Sequence, residues 1–185
     1  MKIEKVKIED AAELLEIYAP YVKNTAVTFE YDVPTLEEFE GRVKRISSEY
    51  PYIKAVKDGK ILGYAYANTF KERKAYNWSV ETTIYIREDD RRGGVGRALY
   101  NALEKSLNRM GVINMNACIG LPIEGDEHSS HDSYKFHQKM GFVLAGRFHN
   151  SGFKFNTWYD MVWMEKIIGE YSDNPKNVDF GNWSL

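Results

Sequence analysis

The segment from Ser79 to Leu107 constrains the fold more than any other part of the chain. Ser79-Val80-Glu81-Thr82-Thr83-Ile84-Tyr85-Ile86 is β-branched and aromatic enough to predict a strand. Arg91-Arg92-Gly93-Gly94-Val95-Gly96 follows, and Val95, Ala98, Leu99, Ala102, Leu103 and Leu107 then recur at helical spacing. A glycine-rich turn between a strand and a helix aims several free backbone N–H groups, and the positive end of the helix dipole, at one point. Glycines give the turn its geometry and let an oxyanion reach the backbone without a side chain intervening. The segment therefore reads as an anion cradle suited to a diphosphate. Two common cradles are excluded by the letters. A Walker loop ends in Gly-Lys-Ser/Thr, whereas Gly96 precedes Arg97-Ala98. A dinucleotide fingerprint needs a small residue where Leu99 stands. What fits is Arg-x-x-Gly-x-Gly, supplied by Arg91, Gly94 and Gly96.

Size and composition limit the surroundings of that cradle. A chain of 185 residues, 43% hydrophobic, holds one sizeable core and is short for two. A net charge of −2 argues against a general nucleic-acid surface, although Arg87, Arg91, Arg92 and Arg97 are concentrated where a small phosphorylated ligand would meet them. Cys118 is the single cysteine, so no intramolecular disulfide forms, and its place in the predicted strand Val112–Ile119 reads as a buried, inert thiol. No secretory leader precedes the first strand and no apolar run approaches membrane-spanning length. The expectation is a cytoplasmic protein with no membrane and no nucleic-acid partner.

Along the chain, Met1 to Ile8 alternates like a strand, and Asp10 opens a helix carrying Leu14, Leu15, Ile17, Tyr18 and Tyr21. Thr35-Leu36-Glu37-Glu38 has capping-box spacing and opens a second helix through Ile46. Tyr52–Val56 and Ile61–Ala67 flank the hairpin signal Lys57-Asp58-Gly59-Lys60. After the strand, glycine loop and long helix come the strand Val112–Ile119, a helix through Ser133–Met140, and two last strands, Gly141–Leu144 and Thr157–Glu165. The order predicts an α/β domain with a mixed, mostly antiparallel sheet flanked by helices. Residues 1–168 form the domain, and 169–185 a tail wrapped on the surface or extended towards a partner.

The glycine pattern resembles the acetyl-CoA pyrophosphate loop of the GCN5-related N-acetyltransferases (GNAT), and further strings resemble that family's phosphinothricin acetyltransferase branch. They are Thr28-Phe29-Glu30, Tyr50-Pro51, Gly63-Tyr64-Ala65-Tyr66-Ala67, Ala75-Tyr76-x-Trp78-x-Val80-Glu81 and Ile84-Tyr85-Ile86. Later come Ile119-Gly120-Leu121-Pro122, Phe136-His137 with Gly141-Phe142, and Gly152-Phe153-Lys154 with Trp158-Tyr159-Asp160. The resemblance covers Met1 to about Ile168 and implies the GNAT acyltransferase fold, acetyl-CoA, a small amino-acid-like amine as acceptor, and a homodimer to which Thr157–Glu165 contributes.

Acetyl transfer from a thioester needs a neutral amine, a polarised carbonyl and a thiolate that leaves, preferably protonated. Glu81 is the candidate base: it shares one strand face with Thr83 and Tyr85, and a carboxylate in an apolar, aromatic strand is costly without a partner or a task. The resemblance implies the same role. It makes His137 the second catalytic candidate, four residues before Gly141 where many relatives carry a tyrosine near the sulfur, with Tyr134 one turn earlier as the alternative acid. It also implies that the cofactor arm runs along Ile84, Tyr85 and Ile86, that the diphosphate sits on Arg91, Arg92, Gly93, Gly94, Val95, Gly96 and Arg97, and that Ser133 contacts the cofactor. Phe29, Glu30, Lys74, Ala75 and Tyr76 are implied on the acceptor side, with Lys74 or Arg73 meeting an acceptor carboxylate.

One stretch departs from the branch. After Leu121-Pro122, where relatives carry Asn-x-x-Ser, residues 123–132 form an insertion, leaving Ser130 or Asp132 in place of the asparagine. Its Asp126, Glu127, His128, His131 and Asp132 are metal-ligand types, but such clusters in polar loops face solvent, and no metal is expected. Two other functions stay open from sequence: an acetyltransferase for protein amines, and an acyl-CoA sensor without catalysis.

Overall fold

The computed structural model describes residues 1–185. Its elements follow the predicted order: β1 (Lys2–Lys5), α1 (Ala11–Asn24), α2 (Leu36–Ser47), β2 (Tyr52–Lys57), β3 (Lys60–Thr69), β4 (Ser79–Ile86), α3 (Val95–Met110), β5 (Asn114–Gly120), α4 (Asp132–Lys139), β6 (Val143–Lys154) and β7 (Thr157–Ile167). Local chemistry sets several of these boundaries. Helix α2 begins in a complete capping box, Glu38 N–H donating to Thr35 Oγ1 at 3.2 Å and Thr35 N–H to Glu38 Oε2 at 2.8 Å. Helix α3 ends at Gly111, whose φ of 92° is left-handed, and its N–H reaches back to the Leu107 and Asn108 carbonyls.

The strands form one seven-stranded sheet in the order β1-β2-β3-β4-β5-β7-β6. Only β4 and β5 run parallel; the other pairs are antiparallel. Helices α1 and α2 cover the face that carries Tyr52, Tyr64, Tyr66 and Tyr85, as the 4.8 Å edge contact of Tyr18 with Tyr85 shows. Helices α3 and α4 cover the other face, where Val80, Thr82 and Ile84 point. A single cluster of 37 buried residues joins both layers.

Strand β6 is longer than the four residues Gly141–Leu144 predict: it begins at Val143 and runs for 12 residues. As the last strand of the sheet it leaves both faces largely exposed, so its sequence lacks the apolar alternation by which strands are recognised. Pairing with β7 holds it, through register shifts between Leu144 and Gly146 and between Phe148 and Gly152.

Residues 169–185 wrap on the domain. Val178 and Trp183 are buried in the main core, Phe180 packs edge-on against Tyr50 at 5.4 Å, and the Trp78 indole donates to the Lys176 carbonyl at 2.7 Å. Truncation after Ile168 is expected to cost about 3–6 kcal/mol, from re-exposing two core side chains and their neighbours. A urea midpoint within 0.2 M (roughly 0.5 kcal/mol at typical m-values) of the full chain would refute this.

Candidate active site

The parallel pair governs the site because it stops early. β4 and β5 are in register only from Ser79↔Asn114 to Glu81↔Asn116. Beyond that point β4 continues with β3, up to Gly63↔Ile86, and β5 with β7, up to Gly120↔Met161. Side chains close the ladder at the fork: Asn116 Nδ2 donates to the Val80 carbonyl at 3.2 Å, and the Thr82 hydroxyl to the Asn116 carbonyl at 3.1 Å. Arg87 N–H pairs with the Leu62 carbonyl, so odd-numbered residues here direct their backbone groups at β3 and even-numbered ones at the fork. The Tyr21 hydroxyl takes both groups of Ile86, donating to its carbonyl at 2.6 Å and accepting its N–H at 3.2 Å. Tyr85 faces β3. Of the three residues implied for a cofactor arm, Ile84 presents an unpaired backbone edge to the opening.

Glu81 sits at the base of this fork, half-buried, on the face covered by α1 and α2. It makes no hydrogen bond or ion pair. Burial lifts its carboxyl above the ordinary glutamate range, and nearby Lys71 pulls the other way. Lys71 lies 5.1 Å from the Phe70 ring and 5.7 Å from Trp163, and Phe70 meets Tyr76 at 6.1 Å. Lys71 is thus the cation of the β3–β4 loop that acts on Glu81; Lys74, Ala75 and Tyr76 form an exposed 3₁₀ turn further out. Nothing in sequence separated Lys71 from its neighbours, because only the packing on Trp163, far along the chain, selects it. Cys118 departs from the expected buried thiol. It is exposed rather than buried, pairs with Trp163 across β5 and β7, and lies on the same face as Glu81. Its surroundings, then the Glu81 carboxylate, push the thiol up to about 11, so it stays protonated at neutral pH.

His137 lies on the opposite face of the sheet, 3% exposed. Its Nδ1–H donates to the Ser133 carbonyl at 2.7 Å, which leaves Nε2 to accept from the Tyr100 hydroxyl at 2.9 Å. Phe136 and Phe142 enclose the ring at 5.3 and 5.2 Å. Burial brings its pKa down to about 4. The structure therefore brings His137 together with Tyr100 and not with Glu81. Tyr134 is half-buried against the core, and its hydroxyl makes no hydrogen bond within the chain. Ser133 is half-buried; Ser130 and Asp132 are exposed and bond each other, Asp132 N–H to Ser130 Oγ at 3.3 Å.

The glycine loop stands beside the open edge. Arg91, Arg92, Gly93, Gly94 and Arg97 are exposed, while Val95 anchors in the core. Gly94 caps α3 with φ 81°, a left-handed conformation that side chains resist. The first helical bond runs from Ala98 N–H to the Gly94 carbonyl at 3.1 Å and Arg91 N–H bonds the Glu88 carbonyl at 3.4 Å, so the free N–H groups are those of Arg92 to Arg97. Gly96 serves packing: a Cβ there would lie 3.0 Å from the Phe136 ring. The loop is exposed, cationic and rich in free N–H groups, as a diphosphate requires, and it adjoins the unpaired Ile84 edge.

Of the insertion's acidic residues, Asp126 turns inwards while Glu124, Glu127 and Asp132 are exposed. Asp126 accepts from Ser129 Oγ at 2.7 Å, His128 N–H at 3.1 Å and the Tyr159 hydroxyl at 2.8 Å, which together hold its carboxyl below the usual aspartate range against its own desolvation. His128 stacks on Phe155 at 3.8 Å, and its carbonyl accepts from Ala26 N–H at 2.8 Å. No group of three or more His, Cys, Asp or Glu side chains converges on a metal-sized point. The insertion thus braces the α1–α2 loop, in which Glu30 pairs with Arg42 at 2.7 Å and the Phe29 ring packs 6.1 Å from Tyr159. Arg42, contributed by α2, was not legible in sequence as part of this site.

Comparison with known proteins agrees with this architecture. The family model for the acetyltransferase (GNAT) domain matches residues 3–163. The phosphinothricin N-acetyltransferase of Streptomyces viridochromogenes is 30% identical, over 90% of this chain and 87% of that one. The L-methionine sulfoximine/L-methionine sulfone acetyltransferase of Pseudomonas paraeruginosa is 28% identical, over 88% and 92%. A solved phosphinothricin acetyltransferase from Sinorhizobium meliloti, in complex with acetyl-CoA, superposes with a TM-score of 0.86 at 31% identity, covering 95% of this chain and 92% of that one. The chain belongs to the GNAT acetyltransferase family: it is an N-acetyltransferase, and acetyl-CoA is its acetyl donor.

Proposed function

We propose that this enzyme acetylates the primary amine of a small amino-acid-like acceptor of the phosphinothricin or methionine sulfone type, by direct transfer while both substrates are bound. The observation that carries the reading is Glu81: a half-buried carboxylate without a hydrogen bond, at the fork of β4 and β5, with the Lys71 ammonium nearby. An ammonium of lysine type is protonated at neutral pH and must lose a proton before it attacks. Glu81 takes that proton, and its desolvation makes it a stronger base than an exposed glutamate. Lys71, with Arg73 and Lys74 behind it, meets the acceptor carboxylate; Phe29, Glu30, Ala75 and Tyr76 line its approach.

The donor arm runs along Ile84, Tyr85 and Ile86 and pairs with the free backbone edge of Ile84, its diphosphate lies on the loop Arg91-Arg92-Gly93-Gly94-Val95-Gly96-Arg97, and Ser133 stands beside the arm. Tyr134 protonates the leaving thiolate, a role its unengaged hydroxyl supports, and His137 backs α4 through Ser133 and Tyr100. The exposed apolar residues Val143, Leu144 and Phe148 on edge strand β6, and Trp158 on β7, support a homodimer through this edge. We place the enzyme in the cytoplasm, where a lone cysteine stays a thiol; no helix is long and apolar enough to cross a membrane.

The test is free-thiol release from acetyl-CoA with a panel containing phosphinothricin, methionine sulfone, methionine sulfoximine, common amino acids, polyamines and a lysine peptide. Saturable turnover with a sulfone, sulfoximine or phosphinate amino acid is expected. Turnover confined to the lysine peptide or the polyamines would overturn the acceptor reading.

A further inference from the structure

The loop between α1 and α2 carries Phe29 and Glu30 but contains no helix or strand to hold them in place. Its anchor comes from the far end of the chain. Lys154, the last residue of β6, is 3% exposed and forms no ion pair. Its ammonium donates all three protons to carbonyls: Val22 at 2.7 Å, Thr25 at 2.8 Å and Thr28 at 2.8 Å. Val22 belongs to the last turn of α1, where carbonyls lack helical partners and the negative end of the dipole collects. The helix ends there without a glycine, Thr25 being extended at φ −135°. Side chains satisfy the orphan carbonyls instead: Thr25 Oγ1 donates to Tyr21 at 2.8 Å, His128 Nδ1–H to Asn24 at 3.0 Å, and Lys154 to Val22.

Two neighbours of Lys154 on β6 also touch this loop. A Cβ on Gly152 would lie 2.4 Å from the Phe29 ring, so glycine at 152 makes the seat for Phe29. The Tyr31 hydroxyl donates to the Phe153 carbonyl. Residues 152, 153 and 154 therefore grip the loop on both sides of Phe29 and Glu30. Lys154 joins the helix end to two points of the loop at once, because its single ammonium spans Val22, Thr25 and Thr28.

We propose that Lys154 is a positioning residue for acceptor binding. By tying the end of α1 to the carbonyls of Thr25 and Thr28, it fixes Phe29 and Glu30 where the acceptor passes on its way to Glu81. The proposal rests on the acceptor role of Phe29 and Glu30 given above. Charge assists the arrangement: the ammonium lies near Glu30 and 5.0 Å from the Phe155 ring, and these contacts oppose the tendency of burial to pull its pKa down.

The test compares Lys154→Met, which keeps length but has no donors, with the wild type. Amide hydrogen exchange across residues 25–31 is expected to accelerate at least tenfold, while the strands keep their protection. With L-methionine sulfone as probe, KM for the amine should rise at least tenfold, with kcat and the acetyl-CoA Kd within twofold. Lys154→Arg, whose guanidinium again offers several N–H groups, should recover most of both effects. Should the methionine variant not fold, Lys154→Gln, with two donors, carries the same measurements. Unchanged exchange at 25–31 in a folded variant overturns the anchor, and this readout needs no acceptor. Faster exchange with unchanged KM overturns its role in binding. Phe29→Ala separates the premise: if its KM is also unchanged, the acceptor reading of the loop has failed instead.

Discussion

Glu81→Gln is expected to lower kcat by about 10²–10⁴-fold, the usual contribution of a general base, while the acetyl-CoA Kd stays within twofold. The amide keeps the shape of the carboxyl group but cannot accept a proton from the ammonium. Burial raises the Glu81 pKa, so the acid limb of the wild-type kcat profile should lie above the ordinary glutamate value and vanish in the variant. Stability should move the opposite way. An acid whose folded pKa is raised holds its proton more tightly when folded, so stability falls as pH climbs from the unfolded value through the folded one. At neutral pH the ionised, half-buried carboxylate is a standing cost that glutamine removes. The variant should therefore melt at or above the wild-type temperature while turning over far more slowly. Loss of activity accompanied by a lower melting temperature would indicate misfolding and sink the assignment. Retained turnover would leave Glu81 without a catalytic role.

The second large effect concerns acid stability and His137. Its imidazole falls from an ordinary value of 6.5 to about 4 in the folded chain, chiefly through burial. A depressed folded pKa means that the unfolded chain takes up the proton first. The stability His137 supports is thus fully present above pH 6.5 and is lost as pH falls towards 4. That interval corresponds to about 3 kcal/mol, a large part of the stability of a domain this size. His137→Phe fits the aromatic cage of Tyr100, Phe136 and Phe142 but removes the imidazole's hydrogen bonds with the Tyr100 hydroxyl and the Ser133 carbonyl, leaving Tyr100 only its longer 3.4 Å contact with Thr82. It should lower stability at pH 7.5 and flatten the decline between pH 6.5 and 4. Urea midpoints at both ends of that range measure the difference. An equally steep decline in the variant would assign the acid sensitivity to other groups.

Much of the architecture is written in local chemistry. Helix α2 begins at Thr35 because Thr and Glu three residues apart cap each other. The glycine loop lies where it does because Gly94 can take φ 81°. Glu81 shares a face with Thr83 and Tyr85 because strand side chains alternate. Each of these depends on residues close together in the chain, and each was legible in sequence, as was the family through its ordered motifs.

Other features depend on partners far apart. Sequence placed Glu81 and His137 in one mechanism; the fold puts them on opposite faces of the sheet, since which face a helix covers is set by how chain crossovers pack. Lys71 differs from Arg73 and Lys74 only by the Trp163 beneath it, 92 positions later. The opening beside Ile84 exists because the Asn116 and Thr82 side chains end a ladder that strand propensity alone would continue. In sequence Lys154 is only the last letter of the Gly152-Phe153-Lys154 string; the fold surrounds it with three carbonyls from α1 and its following loop. Sequence by itself determined the order of the elements and most of their extents, β6 excepted, with the anion cradle and the carboxylate available as a base, all of which follow from short-range sterics and hydrogen bonding. Tertiary structure decided which of these meet, because burial and the desolvation that shifts each pKa are properties of the packed chain.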